Sequence, residues 1–170
     1  MKCRDIYTVI FGCGNILLGD DGFGPTVIES LSSTVVLPDN VLAVDAGTGV
    51  REYLLDYLLS PATAADRIIL VDAVDTPGLR PGTLQERDPS AIPTEKIHDF
   101  SLHQFPTINL LRELARETKT RVTLLTAQIE SVPDAVRPGL SATVAAAVPS
   151  ACRSICRMVP TLQGKDTEWL

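Results

Sequence analysis

The 170-residue sequence is poor in aromatic residues, with only 5% Phe, Trp and Tyr, and it contains just two histidines. A core with so few rings must consist mainly of Leu, Val, Ile and Ala, which suits helices packed on a sheet. Basic clusters are absent, and the formal net charge of -6 argues against a nucleic-acid partner, because phosphate neutralisation requires a basic surface. No apolar run approaches membrane-spanning length, so we expect no membrane partner and a cytoplasmic protein.

Four cysteines occur, at positions 3, 13, 152 and 156, and none of their spacings is that of a zinc knuckle. Cys152 and Cys156 are four residues apart, which places both on one face of a helix. Buried thiols in a reducing compartment are the expected state, and a metal held by the four cysteines is the alternative. Cys13 has glycine neighbours, which indicates a small filler more than a reactive thiol.

A glycine-rich turn that carries two adjacent carboxylates, Asp20 and Asp21, follows the apolar run Ile6–Phe11. The run is β-branched and aromatic without alternation, as in a strand covered on both faces. Gly12 is predicted to end this strand, and Pro25 fits the first turn of the next helix. The two aspartates are N-cap residue types, so helix capping is one interpretation. A ligand site is the other, because open α/β sheets bind ligands at the carboxyl edge.

Strand–loop–helix units of this kind continue along the chain. The predicted strands are Ile6–Phe11, Val41–Val44, Arg67–Val71, the edge strand Thr83–Arg87 and Arg121–Ala127. The predicted helices run from the first turn at Pro25, from Val50 to Leu59, after His103, and from Ala142 to Met158 with Ser141 as N-cap and a kink at Pro149. This order predicts an α/β fold, a three-layer α/β/α sandwich with a twisted, mostly parallel sheet of about five strands. We expect one domain over residues 1–160 and a flexible tail over 161–170.

Three acids follow or end the predicted strands: Asp21, Asp45 and Asp72. Parallel strands bring these ends to one edge, and a helix that begins after His103 can bring its imidazole there too. Carboxylates and an imidazole suit a divalent metal. Each residue also has a structural interpretation. Asp45 can orient the following glycine turn, Asp72 can cap a turn, His103 can be a surface helix-start residue, and His98 can be a loop residue.

Familiar nucleophile motifs are missing. The sequence has no Gly-x-Ser-x-Gly elbow and no His-Glu-x-x-His helix, so a hydrolase here would use water activated through a metal or a carboxylate. A dinucleotide fingerprint fails at Leu17, where the third glycine is required, and two aspartates in the loop would repel a pyrophosphate. A nucleotide-binding α/β domain stays open as an alternative class.

Five segments in order resemble the nickel-iron hydrogenase maturation endopeptidases over nearly the whole chain. They are Gly12-Cys13-Gly14-Asn15 through Asp20-Asp21-Gly22-Phe23-Gly24, Asp45-Ala46-Gly47-Thr48, Leu70-Val71-Asp72-Ala73, Ser101-Leu102-His103-Gln104 and Gly139-Leu140-Ser141. The resemblance implies removal of a short C-terminal peptide from the hydrogenase large-subunit precursor after nickel insertion. The segment around His103 looks most like the branch that processes coenzyme F420-reducing hydrogenases of methanogenic archaea.

The resemblance also implies roles for individual residues. Asp21, Asp72 and His103 match the family's metal ligands and are the candidates for catalysis, with Asp45 as a possible further acid. They would recognise nickel carried by the substrate, and another divalent cation could replace nickel in the isolated protein. The resemblance assigns substrate binding to Gly14, Asn15, Gly47 and Thr48. A non-catalytic chaperone that only docks the precursor is a further alternative.

Overall fold

The computed structural model describes residues 7–92, 105–159 and 163–164, with side chains for 7–92 and 108–159. Ile6, His98 and His103 lie outside these ranges, as does most of the segment 161–170. The predictions of one domain over residues 1–160 and of a flexible tail therefore stay predictions. Within the described ranges, no helix is both long enough and apolar enough to cross a bilayer.

The described chain contains seven strands and five α-helices. The strands are β1 Thr8–Cys13, β2 Val35–Val36, β3 Val41–Gly47, β4 Arg67–Val74, β5 Leu84–Arg87, β6 Arg121–Gln128 and β7 Gln163–Gly164. The helices are α1 Phe23–Thr34, α2 Val50–Leu59, α3 Phe105–Glu117, α4 Ala142–Ala145 and α5 Val148–Met158. A short 3-10 turn, Gly19–Gly22, joins β1 to α1.

Five of the strands form one sheet in the order β3-β1-β4-β6-β5. The four strands from β3 to β6 in that order are parallel, and β5 pairs antiparallel with β6. The predicted mostly parallel five-strand sheet, with Thr83–Arg87 as its edge strand, is therefore confirmed. The small β2–β7 pair is separate and antiparallel.

Both faces of the sheet are covered by helices, because successive side chains of each strand enter different cores. In β4, Ile69 and Val71 belong to the core that includes residues of α1 and α5. Ile68 and Leu70 belong to the other core, with residues of α2 and α3. This confirms the three-layer arrangement.

The four parallel strands extend further than predicted at their carboxyl ends, whereas the edge strand β5 ends at Arg87 as predicted. Gly12 was expected to end β1, but it pairs with Asp45 on β3 and Val71 on β4, and β1 continues to Cys13. Asp45 and Asp72 were expected to be the last strand residues, and this was wrong, since β3 and β4 each continue for two more residues. β3 continues past Asp45 to Gly47, which pairs with Cys13 of β1, and β4 continues past Asp72 to Val74, which pairs with Gln128 of β6.

The last helical segment is interrupted where a kink was expected. Ser141 is the N-cap of α4, as predicted, and its hydroxyl accepts a hydrogen bond from the Val144 N–H. The chain then starts a second helix, α5, with Pro149 in its first turn. Proline is well tolerated there because that position needs no N–H donor, so the helix restarts instead of bending.

Candidate active site at the carboxyl edge of the sheet

Two buried carboxylates lie at the carboxyl ends of the neighbouring strands β1 and β4. Asp21, in the turn after β1, is 1% exposed, and Asp72, near the end of β4, is 4% exposed. The Gly19–Gly22 turn has Cα atoms within 8 Å of Cα atoms of β4. Burying an ionised carboxylate is costly, so two such groups at the ligand-binding edge of an α/β sheet indicate a functional site.

The loop after β1 fixes Asp21 through its own backbone. Asp21 Oδ2 accepts a 2.8 Å hydrogen bond from the Asn15 N–H. Gly14 has a φ of 123°, and a Cβ there would overlap the Asp21 carbonyl oxygen, so only glycine lets the two segments approach this closely. The capping interpretation was wrong: the N-cap position of α1 is Gly22, and no side chain caps the helix.

Asp72 lies within β4 on the sheet face covered by α2 and α3. Its neighbours Val71 and Ala73 face the opposite core, which fixes this orientation. Asp72 Oδ1 accepts a 2.8 Å hydrogen bond from the Ala73 N–H, and its register partner on β6 is Thr126. Because β4 continues to Val74, Asp72 does not cap a turn, and that interpretation was wrong.

Asp45 has the structural role that the sequence suggested. Its side chain is exposed, and Oδ1 accepts a 3.0 Å hydrogen bond from the Gly47 N–H, which orients the turn after β3. The Gly47 carbonyl in turn accepts a 2.9 Å hydrogen bond from the Gly14 N–H. These contacts bring the predicted substrate-binding positions Gly14, Asn15, Gly47 and Thr48 to the edge that carries Asp21. Substrate binding by these four residues stays a prediction.

His103 lies outside the described residues, so the structure does not test its predicted place in the site. The first described residue of α3 is Phe105, and α3 packs through Ile108 and Leu111 in the same core as Leu70 and Val74 of β4. Among the residues that the structure describes, no three His, Cys, Asp or Glu side chains form a group able to hold a metal ion. Of the three predicted ligands, Asp21, Asp72 and His103, the structure describes Asp21 and Asp72.

The cysteines described here are not arranged as a metal site. Cys13 is buried in the core beside Phe11 and Val50. Cys152 and Cys156 are free thiols on α5, and burial raises the pKa of both, so they are poorly ionised at neutral pH. The predicted helix-packing thiols are confirmed at these two positions, while Cys3 lies outside the described residues.

The structure also assigns a role to Asp20 that sequence reasoning missed. Its carboxylate is 1% exposed and accepts hydrogen bonds from the segment that precedes α4. The bonded residues are 110 to 121 positions further along the chain, so no local pattern could reveal the contact.

This arrangement agrees with the comparisons with known proteins. Residues 25–158 match the family described as hydrogenase maturation protease. The chain belongs to the hydrogenase maturation protease family. It is 37% identical over 155 residues to a provisionally named hydrogenase maturation protease of Methanocaldococcus jannaschii, an alignment that covers 91% of this chain and 96% of the relative. It is 34% identical over 154 residues to the coenzyme F420 hydrogenase subunit delta of Methanothermobacter thermautotrophicus, covering 89% and 93%.

Solved structures of the family have the same fold. The hydrogenase maturating endopeptidase HybD from Escherichia coli superposes with a TM-score of 0.76 at 26% identity, covering 94% of this chain and 96% of HybD. The [NiFe] hydrogenase maturation protease HycI from Thermococcus kodakarensis gives a TM-score of 0.73 at 24% identity, covering 92% and 94%, and supports the fold alone. The predicted α/β fold, the resemblance to this family and the hydrolase class, endopeptidase, are confirmed.

Proposed function

We propose that this protein removes a short C-terminal peptide from the precursor of a nickel-iron hydrogenase large subunit after nickel insertion. The observation that carries the proposal is the pair of buried carboxylates, Asp21 and Asp72, on adjacent strand ends of a maturation-protease fold. Family membership indicates the reaction class, and we propose that the reaction takes place beside these two acids. We infer that the reaction takes place in the cytoplasm.

Nickel enters this proposal as part of the substrate. Asp21, Asp72 and His103 would bind the metal that the precursor carries, and their oxygen and nitrogen atoms are donors that nickel accepts. The bound metal would place the scissile peptide bond beside these residues and act as a Lewis acid. Water adds to the carbonyl carbon, the carbon–nitrogen bond breaks, and the leaving amine takes up a proton. The carboxylate of one of these aspartates would act as the general base that takes a proton from the water.

The substrate that we favour is the large subunit of a coenzyme F420-reducing hydrogenase. Support comes from the 34% identity with the coenzyme F420 hydrogenase subunit delta of Methanothermobacter thermautotrophicus, which extends over 93% of that protein. Offering this precursor beside one from another nickel-iron hydrogenase, in equal amounts, tests the preference. Faster cleavage of the first supports the assignment, and equal or reversed rates contradict it.

The decisive experiment compares nickel-loaded and nickel-free precursor. Each is incubated with the purified protein, and the products are weighed by mass spectrometry. We expect the nickel-loaded precursor to lose its C-terminal peptide and the nickel-free precursor to stay intact. Equal cleavage of both would contradict metal recognition, and binding without cleavage of either would favour the docking chaperone over the enzyme.

The nucleotide-binding alternative finds no support at this edge of the sheet. The turn that would cradle a pyrophosphate holds two buried aspartates, Asp20 and Asp21, whose negative charge opposes phosphate binding. A thermal shift measured with a dinucleotide should therefore be negligible. Isothermal titration calorimetry with Ni²⁺ alone tests metal binding separately from cleavage. We expect the heat of binding to be smaller for Asp21→Asn and Asp72→Asn than for the unmodified protein.

A further inference from the structure

Asp20 is a buried carboxylate whose described partners are all neutral donors. Oδ2 accepts hydrogen bonds from the Glu130 N–H at 2.8 Å and the Ser131 N–H at 3.2 Å. Ser141 donates twice, from its N–H to Oδ1 at 2.6 Å and from its hydroxyl to Oδ2 at 3.0 Å. One side chain from the turn after β1 thus fastens both ends of the segment 130–141, which leads from β6 to α4.

The same segment pairs directly with the loop that leads into the Gly19–Gly22 turn. Arg137 donates its N–H to the Leu17 carbonyl at 2.8 Å and accepts the Gly19 N–H at 2.9 Å. These bonds form an isolated parallel bridge between Leu18 and Arg137. Segment 130–141 is therefore held against the turn from two sides, by main-chain pairing at its middle and by Asp20 at its ends.

Asp21 is the next residue of that turn, and its carboxylate accepts the Asn15 N–H. A short 3-10 turn has few hydrogen bonds of its own, so contacts outside it set the direction in which its side chains point. Removing the Asp20 carboxylate would leave the N–H groups of Glu130, Ser131 and Ser141 without this acceptor. The main-chain pairing at Arg137 would remain, but both ends of segment 130–141 would lose their bonds to the turn, and the orientation of Asp21 would be held less firmly.

We propose that Asp20 is a positioning residue for the proposed peptidase site: its carboxylate locks the turn that carries Asp21 to segment 130–141. We do not expect Asp20 to touch the substrate, because it is 1% exposed and both of its oxygens accept hydrogen bonds inside the chain. The proposal rests on the proposed function, since it assigns to Asp20 the alignment of an acid that acts on the precursor. It also makes a structural claim that can be measured without any activity.

Asp20→Ala is the main test, with Asp66→Asn as the matched control. Asp66 is also an aspartate that joins distant segments, since its Oδ2 accepts the Tyr7 N–H at 2.8 Å, but it lies at the amino end of the sheet. Cleavage of nickel-loaded precursor is measured below the unfolding transitions of both variants. We expect Asp20→Ala to lower kcat at least about tenfold with little change in KM, and Asp66→Asn to keep the kcat of the unmodified protein.

A conservative variant separates positioning from folding. Asn at position 20 can still accept the hydrogen bonds made to one of the two oxygens, so Asp20→Asn should recover part of the lost kcat. It also serves as the test if Asp20→Ala does not fold, and then a kcat equal to that of the unmodified protein overturns the proposal. Equal kcat losses in the Asp20 and Asp66 variants would overturn it too.

Hydrogen exchange gives the readout that is independent of activity. The Asn15 amide is protected by Asp21, so it should exchange at least about tenfold faster in the Asp20 variant and unchanged in Asp66→Asn. Unchanged protection of Asn15 in the Asp20 variant would overturn the inference. Absence of cleavage by the unmodified protein would instead overturn the proposed function, so the two failures can be told apart.

Discussion

The two ends of the central sheet both hold aspartates, but they use them differently. At the amino end, the half-buried Asp66 accepts the Tyr7 N–H and ties the start of β4 to the residue before β1. Nearby, the Thr120 hydroxyl donates to the Ala65 carbonyl at 2.6 Å. These bonds give partners to polar groups at strand starts and turns, and they have a structural role only.

At the carboxyl end, three aspartates are almost fully buried: Asp20 and Asp21 are 1% exposed and Asp72 is 4% exposed. Removing three carboxylates from water in one region costs free energy, and forming a turn does not require that cost. Asp20 has a structural explanation in its bonds to segment 130–141, whereas Asp21 and Asp72 lie on separate elements that converge at the ligand-binding edge. The contrast teaches that depth of burial alone does not identify a site acid, and that its partners must be examined as well.

The largest expected effect comes from removing one of the proposed metal ligands. Asp72→Asn, Asp21→Asn and His103→Ala should each lower the rate of precursor processing by at least about 100-fold, because each removes a proposed ligand of the substrate's metal. Circular dichroism should show an intact fold. The control Asp66→Asn should process normally, and full activity in any of the three site variants would contradict the role assigned to that residue.

The second prediction concerns the packing that supports the site loop. A Cβ at Gly24 would come closer than 3.0 Å to backbone atoms of Cys13 and Val71, which cannot move without shifting β1 or β4. Gly24→Ala should therefore destabilise the protein by about 3 kcal/mol, the upper end for overpacking, measured by urea unfolding. At Gly49 a Cβ would meet its nearest atom at 3.4 Å, so Gly49→Ala is the control. Similar stabilities of the two variants would refute the packing argument.

Much of the scaffold could be predicted from local sequence. The bounds of α2, Val50–Leu59, were predicted correctly, because Gly49 precedes the apolar periodicity and Pro61 follows it. The five strands of the sheet were also found, since buried parallel strands are continuous apolar runs. The carboxyl ends of the four parallel strands were not, because a strand's last pairs depend on how far its neighbour continues, as with Val74 opposite Gln128.

The site itself could be predicted only in part. Asp21 and Asp72 were identified because they follow apolar strands whose ends must share an edge. The role of Asp20 depends on Ser141, 121 residues later, and a contact of that span leaves no trace in local spacing. Likewise, Pro149 is compatible with a kink or with the first turn of a new helix, and only the packing of α5 on α1 decides between them.

A third, smaller effect is expected at the link between Asp20 and α4. The Ser141 hydroxyl donates to Asp20 Oδ2 and accepts from the Val144 N–H, so Ser141→Ala removes a helix cap and one of the bonds to Asp20. The expected loss is about 1 kcal/mol, visible as a lower thermal midpoint. Ser90 also donates its hydroxyl to an aspartate, Asp88, but it is exposed, so Ser90→Ala should change stability by less than about 0.5 kcal/mol. Equal losses of stability in Ser141→Ala and Ser90→Ala would show that the bond to Asp20 stabilises the protein no more than an exposed hydrogen bond does.

The smallest effect tests the amino end of the sheet. Burial, followed by the neighbouring Tyr7, raises the pKa of Tyr57 to about 12. Because this folded-state value lies above the unfolded value of 10.0, the stabilisation is fully present below pH 10 and is lost as the pH rises towards 12. Absorbance at 295 nm should show a phenol that titrates near pH 12 and disappears in Tyr57→Phe. That variant should process the precursor normally, since ionisable groups at this end serve the fold, and reduced processing would break the contrast between the two ends.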